Sequence, residues 1–429
     1  MNKSTKELIN FIKSSPTAYH CIDSVRNILG EFKTLDASER FEIEAGGKYV
    51  ITRGGSSLIA FSVPSDISEI SFSIAAAHVD SPALKLKPEC DVDSPASVKR
   101  VAVEKYGGAN LSSWFDRPLT VAGRICLEKD AKIISQNVYV DRDLMIIPSV
   151  PPHLGTIEKP SLAVDFLPVY SAKSEKGILD AVAETAGVKV EDVISHDLFA
   201  VSRAKGDFIG ANGEFFSAPR IDDLQCVFAL TAALADVKNT AGISVLALFD
   251  NEETGSSSRQ GAFSSFLPEV LERIVIALGK DRSEYQAALA RSFMVSADNA
   301  HAKHPAHPEL FDALNAPEMN GGIVIKTNAS QRYTTDAMSC AIVKKICERA
   351  GVPYQRYANR ADIAGGSTLG NIALHQLPVC CADIGLAQLA MHSICETAGA
   401  YDTEYLIKFA KELFSVKFSA VSDCGYEIR

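Results

Sequence analysis

The sequence lacks several features that would place a protein in a specialised class. Its 429 residues carry a net charge of −10, from 53 acidic and 43 basic residues, and the basic residues do not cluster. Nucleic acids and anionic membranes are bound through clustered Lys and Arg, so neither is predicted as a partner. No apolar run approaches the roughly 18 residues that a membrane-spanning helix needs.

Two further absences bear on the cellular compartment. Residues 1–16 mix Lys and Glu in a short amphipathic pattern and lack the apolar stretch of a secretory signal peptide. None of the ten cysteines belongs to a CxxC motif, and Cys380 and Cys381 are adjacent within an apolar run. This usage is typical of reduced thiols in a core, so a cytoplasmic location is predicted.

The pattern of strand-like and helix-like runs changes twice along the chain. In residues 1–92 and 206–429, strand-like and helix-like runs alternate, as in an α/β domain. Between residues 93 and 205, short strand-like runs alternate with turns, and only residues 178–188 have a clear helical pattern. We therefore predict a discontinuous α/β domain, 1–92 and 206–429, interrupted by a β-rich inserted domain, 93–205.

Hydrophobic periodicity predicts individual elements as well. Helices are expected at 6–13, 18–29, 178–188, 224–236, 336–350, 367–375 and 403–413. Strands are expected at 48–53, 57–63, 70–77, 97–104, 119–127, 132–140, 293–297, 322–326 and 377–383.

The stretch 243–255, ISVLALFDNEETG, is the most informative one. Its apolar run predicts a strand buried on both faces, and Asp250, Asn251, Glu252 and Glu253 follow at the carboxyl end. Open α/β sheets bind ligands at such ends. We expect Glu253 to bind a metal and Glu252 to deprotonate a water. The alternative is a solvated turn or a charged helix start.

Four further stretches place ligand-type residues at or near predicted strand ends or turns. They contain His78 with Asp80, Asp222, Asp298 and His392. Nitrogen and carboxylate oxygen ligands suit zinc, and a bridging carboxylate suits two zinc ions about 3.5 to 4 Å apart. Taken together these residues predict a metal site.

Each of these residues also has an ordinary structural alternative. His78 could be a histidine satisfied in the core, and Asp80 a turn residue. Asp222 could cap the following helix, and Asp298 could start an Asx turn. His392 could lie on a helix face.

Six sequence motifs, spread from about residue 75 to 400, resemble those of the M18 metalloaminopeptidases, the aspartyl aminopeptidase family. They are AAHVDSPALKLKP, FSAPRIDDL, LFDNEETGSSSRQGA, SFMVSADNAHAKHPAH, VIKTNASQRY and QLAMHSICE. The resemblance implies a three-layer α/β/α mixed-sheet peptidase domain with an inserted dimerisation domain. It also implies a homo-dodecamer built from dimers, peptide substrates and two Zn²⁺ ions per subunit, for which Mn²⁺ or Co²⁺ can substitute.

Carried over residue by residue, the resemblance implies five metal ligands. His78 and Asp298 would bind one zinc ion, Glu253 and His392 the second, and Asp222 would bridge the two. In addition, the general base would be Glu252, and Asp80 would hydrogen-bond His78 from behind and fix its ring.

The resemblance extends to residues with less defined roles. His153, in PPHLGTIEKP, matches a histidine that the family's inserted domain contributes to the active site of a neighbouring subunit, as a metal or substrate contact; the alternative is a surface histidine. Lys326 matches a lysine facing an acidic substrate side chain, and the alternative is an exposed strand end. His301, His304 and Tyr333 fall in matching words and are candidate substrate contacts.

The sequence departs from the family pattern at three places. The usual R-x-D-N reads RIDD here, so Asp223 adds a carboxylate beside the bridging position. The usual PHLAIH reads PHLGTI, which removes one of two histidines. The inserted segment is also compact, which leaves the subunit contacts open.

Two alternative functions stay open at this point. A related di-zinc carboxypeptidase or amidohydrolase would use a similar site on different substrates. A non-catalytic assembly protein would hold a structural metal. Structural zinc sites are closed and rarely keep a spare carboxylate such as Glu252, which disfavours the assembly protein.

Overall fold

The computed structural model of the chain describes residues 2–155, 157–172, 176–238, 241–422 and 425–429. The α-helices in these residues are α1 (Lys3–Ser14), α2 (Ala18–Ile28), α3 (Ile178–Ala186), α4 (Ile221–Asp236), α5 (Phe266–Ala277), α6 (Arg282–Ala290), α7 (Ala337–Ala350), α8 (Leu369–Ala373) and α9 (Asp402–Ser415).

The strands fall into four sheets. Those before α4 are β1 (Lys33–Thr34), β2 (Lys48–Arg53), β3 (Ser57–Ser62), β4 (Phe72–His78), β5 (Ala83–Asp93), β6 (Val98–Tyr106), β7 (Pro118–Lys129), β8 (Lys132–Tyr139), β9 (Met145–Ile146), β10 (Val169–Ala172), β11 (Val193–Ser202), β12 (Asp207–Ile209) and β13 (Phe215–Ala218). Those after it are β14 (Ile243–Phe249), β15 (Phe293–Ala297), β16 (Ala300–His301), β17 (Ile323–Thr327), β18 (Tyr354–Ala358), β19 (Cys380–Gly385), β20 (Ala387–Leu389), β21 (Glu396–Gly399), β22 (Phe418–Ser422) and β23 (Gly425–Ile428).

The central sheet has nine strands in the order β1-β2-β3-β14-β4-β15-β19-β17-β18. Its four inner strands, β14, β4, β15 and β19, run parallel to one another. β4 and β14 are buried along their whole length, which explains why both read as continuous apolar runs. The carboxyl ends of β14, β4 and β15 therefore meet at one edge of the sheet.

Apolar side chains cover both faces of the central sheet. Along β4, Ala75 and Ala77 join one core cluster, with side chains of α1, α2, α4, α7 and α9. Ile74 and Ala76 point the other way into a second cluster, with side chains of α5, α6 and α8. This alternation is the two-residue period of a strand buried on both faces.

A second sheet, β11-β5-β6-β10-β9-β7-β8, is formed between Ala83 and Ser202, and β11 also pairs with β7. It has its own core cluster, which includes Ile178 and Val182 of α3. Its first strand, β5, precedes the domain boundary predicted at residue 93. The division into two domains stays a prediction.

A smaller third sheet has the strand order β12-β13-β21-β20-β16. Its strands precede or follow, along the chain, several residues of the site described below. β13 pairs antiparallel with β21, so that Ala218 is opposite Glu396. β20 pairs antiparallel with β21, and the turn that connects these two strands carries His392. The sheet thus joins the segment before α4 to the His392 turn.

The mixed α/β fold with several sheets is confirmed. The strands predicted at 48–53 and 293–297 have those bounds, whereas α5 and α6 were not predicted. α6 has only nine residues, and α5 carries Pro268 in its first turn, which interrupts the helical sequence pattern. In the described parts of the chain, no helix combines the length and apolarity needed to cross a membrane.

Candidate metal centre

Parallel strands bring three of the predicted sites to one edge of the central sheet. Phe249, the last residue of β14, is in register with His78, the last residue of β4. Asp298 directly follows β15, the neighbour of β4 on its other side. Glu252 and Glu253 form a short 3-10 turn after β14. The position agrees with ligand binding at the carboxyl ends of parallel strands.

Two further candidate ligands reach this edge from outside the central sheet. Asp222 lies where α4 begins, and the backbone there is not yet helical. His392 lies in the turn between β20 and β21 with a φ of 66°. Asp222 has no capping hydrogen bond to α4, and His392 is not on a helix, so neither structural alternative describes them.

The ring of His78 is held from one side and faces carboxylates on the other. Its Nδ1 is 3.0 Å from the backbone oxygen of Asp80 and 3.5 Å from Asp80 Oδ1. Its Nε2 is 3.3 Å from Asp222 Oδ1 and 3.9 Å from Asp298 Oδ1. If Nδ1–H donates to Asp80, as in histidine ligands generally, the Nε2 lone pair faces the two aspartates.

A second group of the same kind surrounds His392. Its Nε2 is 3.4 Å from Asp222 Oδ2 and 3.3 Å from Glu253 Oε1, while Nδ1 is 3.2 Å from the backbone oxygen of Gly108. Asp222 thus turns one carboxylate oxygen towards His78 and the other towards His392. This is the arrangement expected of a bridging carboxylate.

The donor atoms fit zinc. Ligand atoms of His78, Asp222 and Asp298 lie within 4.8 Å of one another, and so do those of Asp222, Glu253 and His392. Asp222 Oδ1 and Glu253 Oε1 are buried and have no hydrogen-bond partner among the described residues. Buried carboxylates are costly unless they are paired or bind a cation, and nitrogen and oxygen donors suit zinc.

The pKa values of the candidate ligands are shifted towards the protonated forms. Burial, together with the charge of Asp222, raises the pKa of Glu253 well above its ordinary value. Burial alone would lower the pKa of His392, but its hydrogen bond to Asp222 and the charge of Glu253 raise it to about 10. A bound cation would displace these protons, because ligands must be deprotonated.

Glu252 lies beside the candidate ligands. One of its carboxylate oxygens is within 4.8 Å of ligand atoms of His78 and Glu253. Burial raises the pKa of Glu252 to about 8; the charge of His78 acts against this, and that of Asp298 adds to it. A carboxylate in this position is suited to proton transfer.

Residues 11–414 match the family profile described as aminopeptidase I zinc metalloprotease (M18). The chain belongs to the M18 family. It is 38% identical over 425 residues to a probable M18 family aminopeptidase 2 of Clostridium acetobutylicum, across 96% of this chain and 98% of that one. It is 34% identical over 445 residues to aspartyl aminopeptidase 1 of Schizosaccharomyces pombe, across 95% of this chain and 94% of that one.

Solved M18 structures share the fold. The mApe1 dodecamer of S. cerevisiae superimposes with a TM-score of 0.84 at 29% identity, across 96% of each chain. The predicted family and enzyme class are confirmed: the protein is a hydrolase, a metalloaminopeptidase of a zinc metalloprotease family. Membership favours this activity over the carboxypeptidase, amidohydrolase and assembly-protein alternatives.

Three other predicted residues of this M18 protein line the same pocket: His301, Lys326 and Tyr333. Lys326 is 2% exposed, so the alternative of an exposed strand end is wrong. Its Nζ donates to the backbone oxygen of Asn299 at 2.8 Å and lies 3.4 Å from Asp298 Oδ2. Burial alone would lower the pKa of Lys326, but Asp298 and its neighbours raise it, so the ammonium stays charged.

Two predicted residues lie outside this pocket. His153 is exposed in the short turn Pro152–Leu154, in the segment of the second sheet. His304 is exposed, its ring contacts His307, and it lines a different depression. Among the described residues of this one chain, neither is part of the metal pocket lining.

Asp223, the departure beside the bridging position, is fully buried. Its Oδ2 accepts the backbone N–H of His78 at 3.3 Å. Burial raises the pKa of its carboxyl well above the ordinary value. The extra carboxylate therefore supports the backbone of a candidate ligand.

Sequence reasoning missed two supporting residues of the M18 site. Glu396, 1% exposed, accepts the backbone N–H of His392 at 2.7 Å and that of Asp222 at 3.0 Å. Tyr106 donates its hydroxyl to Asp80 Oδ2 at 2.7 Å. Glu396 shares the motif word QLAMHSICE with His392, which was an available signal; Tyr106 lies in another sheet and offered none.

Asp80 connects the two halves of the centre. Besides contacting His78, its carboxylate accepts the backbone N–H groups of Glu252 at 3.1 Å and Glu253 at 3.2 Å. It is 4% exposed and accepts two backbone N–H groups from another strand end, so the alternative of an ordinary turn residue does not describe it. One buried carboxylate thus fixes a ring and a strand end together.

Proposed function

We propose that the protein is a two-zinc aminopeptidase that removes N-terminal amino acids from peptides, with Glu252 as the general base. The observation that carries this proposal is the division of the Asp222 carboxylate between two histidines, each with a carboxylate of its own, beside an additional glutamate. Structural zinc sites are closed and rarely keep an additional carboxylate such as that of Glu252.

In the proposal, His78 and Asp298 hold one ion, Glu253 and His392 hold the other, and Asp222 holds both. When bound, two zinc ions would lower the pKa of a shared water and act as Lewis acids towards the scissile carbonyl. Asp80 keeps the His78 ring in the tautomer whose Nε2 is free to ligate.

Glu252 carries the proton transfers. It takes a proton from the water that attacks the carbonyl carbon, and it returns that proton to the amine nitrogen when the C–N bond breaks. A positioned acid–base group of this kind contributes roughly 10² to 10⁴ in rate. The free α-amine of the substrate would pair with the acidic side chains of the pocket, which accounts for trimming from the N-terminus.

We further propose a preference for an N-terminal Asp or Glu. Lys326 is a charged ammonium in the wall of the pocket, and a desolvated ammonium favours a carboxylate over an apolar side chain. Its ammonium already contacts Asp298, so part of its role is to position that carboxylate. His301 and Tyr333 would line the same subsite.

The specificity proposal is tested with Lys326→Met, which keeps most of the length of the side chain and removes its charge. The ratio of kcat/KM for Asp- over Leu-amide reporters should fall at least tenfold. Zinc content must be measured in the same sample, because Lys326 also contacts Asp298. A variant with full zinc content and an unchanged ratio would refute the acidic subsite.

The remaining proposals concern architecture. We assign residues 1–92 and 206–429 to a three-layer catalytic domain and 93–205 to an inserted dimerisation domain, in a cytoplasmic homo-dodecamer built from dimers. The likeness to the mApe1 dodecamer over 96% of both chains supports the assembly. In such an assembly His153 would contact metal or substrate in a neighbouring subunit.

The activity is tested with chelator-stripped protein and Asp-, Glu-, Leu- and Met-amide reporters, before and after adding Zn²⁺, Mn²⁺ or Co²⁺. Metal-dependent release is expected, with acidic reporters preferred. N-terminally acetylated reporters are the matched control and should not be cleaved. Cleavage of the blocked reporters at the same rate would contradict the aminopeptidase assignment.

A further inference from the structure

A loop of the second sheet lies directly against the metal centre. It comprises residues 106–113, begins at the end of β6 and leads into the short turn Leu111–Trp114. Three separate sets of contacts connect it to His392, Asp80 and Glu253.

The loop holds His392 through the ring and through the backbone. The backbone oxygen of Gly108 is 3.2 Å from His392 Nδ1, and the N–H of Asn110 donates to the backbone oxygen of His392 at 2.9 Å. Ser113 Oγ accepts the N–H of Ile394 at 3.0 Å. These bonds fix both the ring and the turn that carries it.

The loop also holds Asp80. The Tyr106 hydroxyl donates to Asp80 Oδ2 at 2.7 Å and accepts a hydrogen bond from Asn251 Nδ2 at 2.9 Å. Through Asp80 it supports the backbone of Glu252 and Glu253.

Two glycines allow the loop to approach so closely. A Cβ on Gly107 would lie 2.9 Å from Glu253 Cβ and 3.1 Å from Glu253 Oε2. A Cβ on Gly108 would lie 3.0 Å from His392 Nδ1 and 3.3 Å from Cε1. A larger residue at either position crowds a candidate ligand, so that the ligand or the loop must shift, at Gly108 by a few tenths of an ångström.

We propose that the 106–113 loop is a positioning element of the metal centre, by which the second sheet orients His392, Glu253 and Asp80 for metal binding. The inference rests on the proposed roles of His392 and Glu253 as ligands. Metal retention would then depend on the second sheet, although this sheet contributes no ligand to the centre within this chain.

The physical basis is the geometry of ligand binding. A histidine whose Nδ1–H donates to a carbonyl presents the Nε2 lone pair in a fixed direction. Gly108 supplies that carbonyl for His392, as Asp80 does for His78. Loss of such outer contacts typically lowers metal affinity about 10- to 100-fold.

The test compares Gly107→Ala with Gly187→Ala. Both glycines have a φ of +71°, so the backbone strain of the substitution is matched, but Gly187 has no atom within 4 Å of its Cβ position. Gly108→Ala crowds the other ligand without a positive φ. Tyr106→Phe removes two hydrogen bonds, the one donated to Asp80 and the one accepted from Asn251, without adding volume. Zinc affinity is measured on the full-length chain by chelator competition, with the Co²⁺ absorption spectrum as a second readout.

We expect zinc affinity to fall about 10- to 100-fold in Gly107→Ala and Gly108→Ala, with an altered Co²⁺ spectrum, while Gly187→Ala matches the wild type. Equal affinities in all of these proteins, or an equal loss in Gly187→Ala, would overturn the inference and leave the proposed function intact. A wild-type protein that binds no zinc would overturn both. If Gly107→Ala does not fold, Gly108→Ala and Tyr106→Phe decide.

Discussion

Two clusters of charged side chains in this protein use carboxylates in opposite ways. In the metal centre, acidic groups outnumber cationic ones, and buried oxygens of Asp222 and Glu253 have no hydrogen-bond partner among the described residues. In the second cluster, Asp197 Oδ1 is 2.9 Å from Lys85 Nζ, and Oδ2 is 3.0 Å from Arg124 Nη2. The carboxylates of the metal centre are therefore placed to bind added cations. Asp197 is already paired with two cationic side chains of the same chain.

The pKa values follow the same division. Burial raises the pKa of Glu253 because no cation of the chain offsets it sufficiently. Burial acts on Asp197 as well, but Lys85 and Arg124 outweigh it and lower the pKa of that carboxyl. Burial of a carboxylate is thus no sign of a binding site by itself. The informative feature is an oxygen that lacks a partner and also lies within 4.8 Å of other ligand-type atoms, as in Asp222 and Glu253. Among the described residues, Asp223 Oδ1 lacks a partner too but belongs to no such group.

The largest effect is expected from Glu252→Gln. Without the carboxylate no group takes the proton of the attacking water, so kcat should fall by roughly 10² to 10⁴ or more. Metal analysis should show unchanged zinc content. Asp197→Asn, which changes the same atoms in the paired cluster, is the control and should keep its turnover. An active Glu252→Gln protein would remove this residue from the role of base.

Asp222→Asn tests the bridge and should empty at least one metal site. The amide lacks the charge that two cations share and offers only one oxygen. Asp223→Asn is the matched control, because Asp223 contacts the backbone N–H of His78 and its substitution restores the usual family residue. Metal content of both variants is measured after dialysis against dilute zinc. Full occupancy in Asp222→Asn would count against bridging.

Glu396→Gln should have a smaller effect on metal binding. The amide keeps one oxygen, so one backbone N–H, of either His392 or Asp222, faces an NH₂ group instead of an acceptor. Zinc affinity should fall about tenfold. Asp402→Asn is the control, because Asp402 is also buried and accepts two backbone N–H groups, those of Asn320 and Gly322.

Both of these variants should lose about 1–3 kcal/mol in the free energy of unfolding, as expected when a buried donor loses its partner. Only Glu396→Gln should change zinc affinity. If the two variants lose zinc equally, Glu396 supports the fold generally and not the ligands.

The smallest effect is expected in the paired cluster. Asp197 is about a third exposed, so Asp197→Asn should cost about 1 kcal/mol or less. Because the pKa of Asp197 is lowered in the folded state, the contribution is complete above its ordinary value of 3.8 and is lost as the pH falls below it. Urea unfolding of both proteins at neutral pH and below pH 3.8 measures this. A difference that grows on acidification would contradict it.

Much of the centre was open to sequence reasoning because ligands at strand ends follow from chain order. The apolar runs that lead to His78 and to Glu252-Glu253 predict buried strands, and open α/β sheets bind ligands at the carboxyl ends of such strands. The structure adds that the two strands are parallel neighbours. The roles of Lys326 and Glu396 were harder to predict. Lys326 is only 2% exposed, and whether a lysine at a strand end is exposed or buried depends on which residues pack over it.

The sequence by itself determined the family, the alternation of strands and helices, and the residue types that can bind zinc, because these are carried by local pattern and by long motif words. The tertiary structure alone decided which oxygens remain without partners and which groups support the ligands. Tyr106 and Gly108 reach the centre from another sheet, through contacts between residues far apart in the chain. No local pattern records such contacts, since they depend on how two sheets pack.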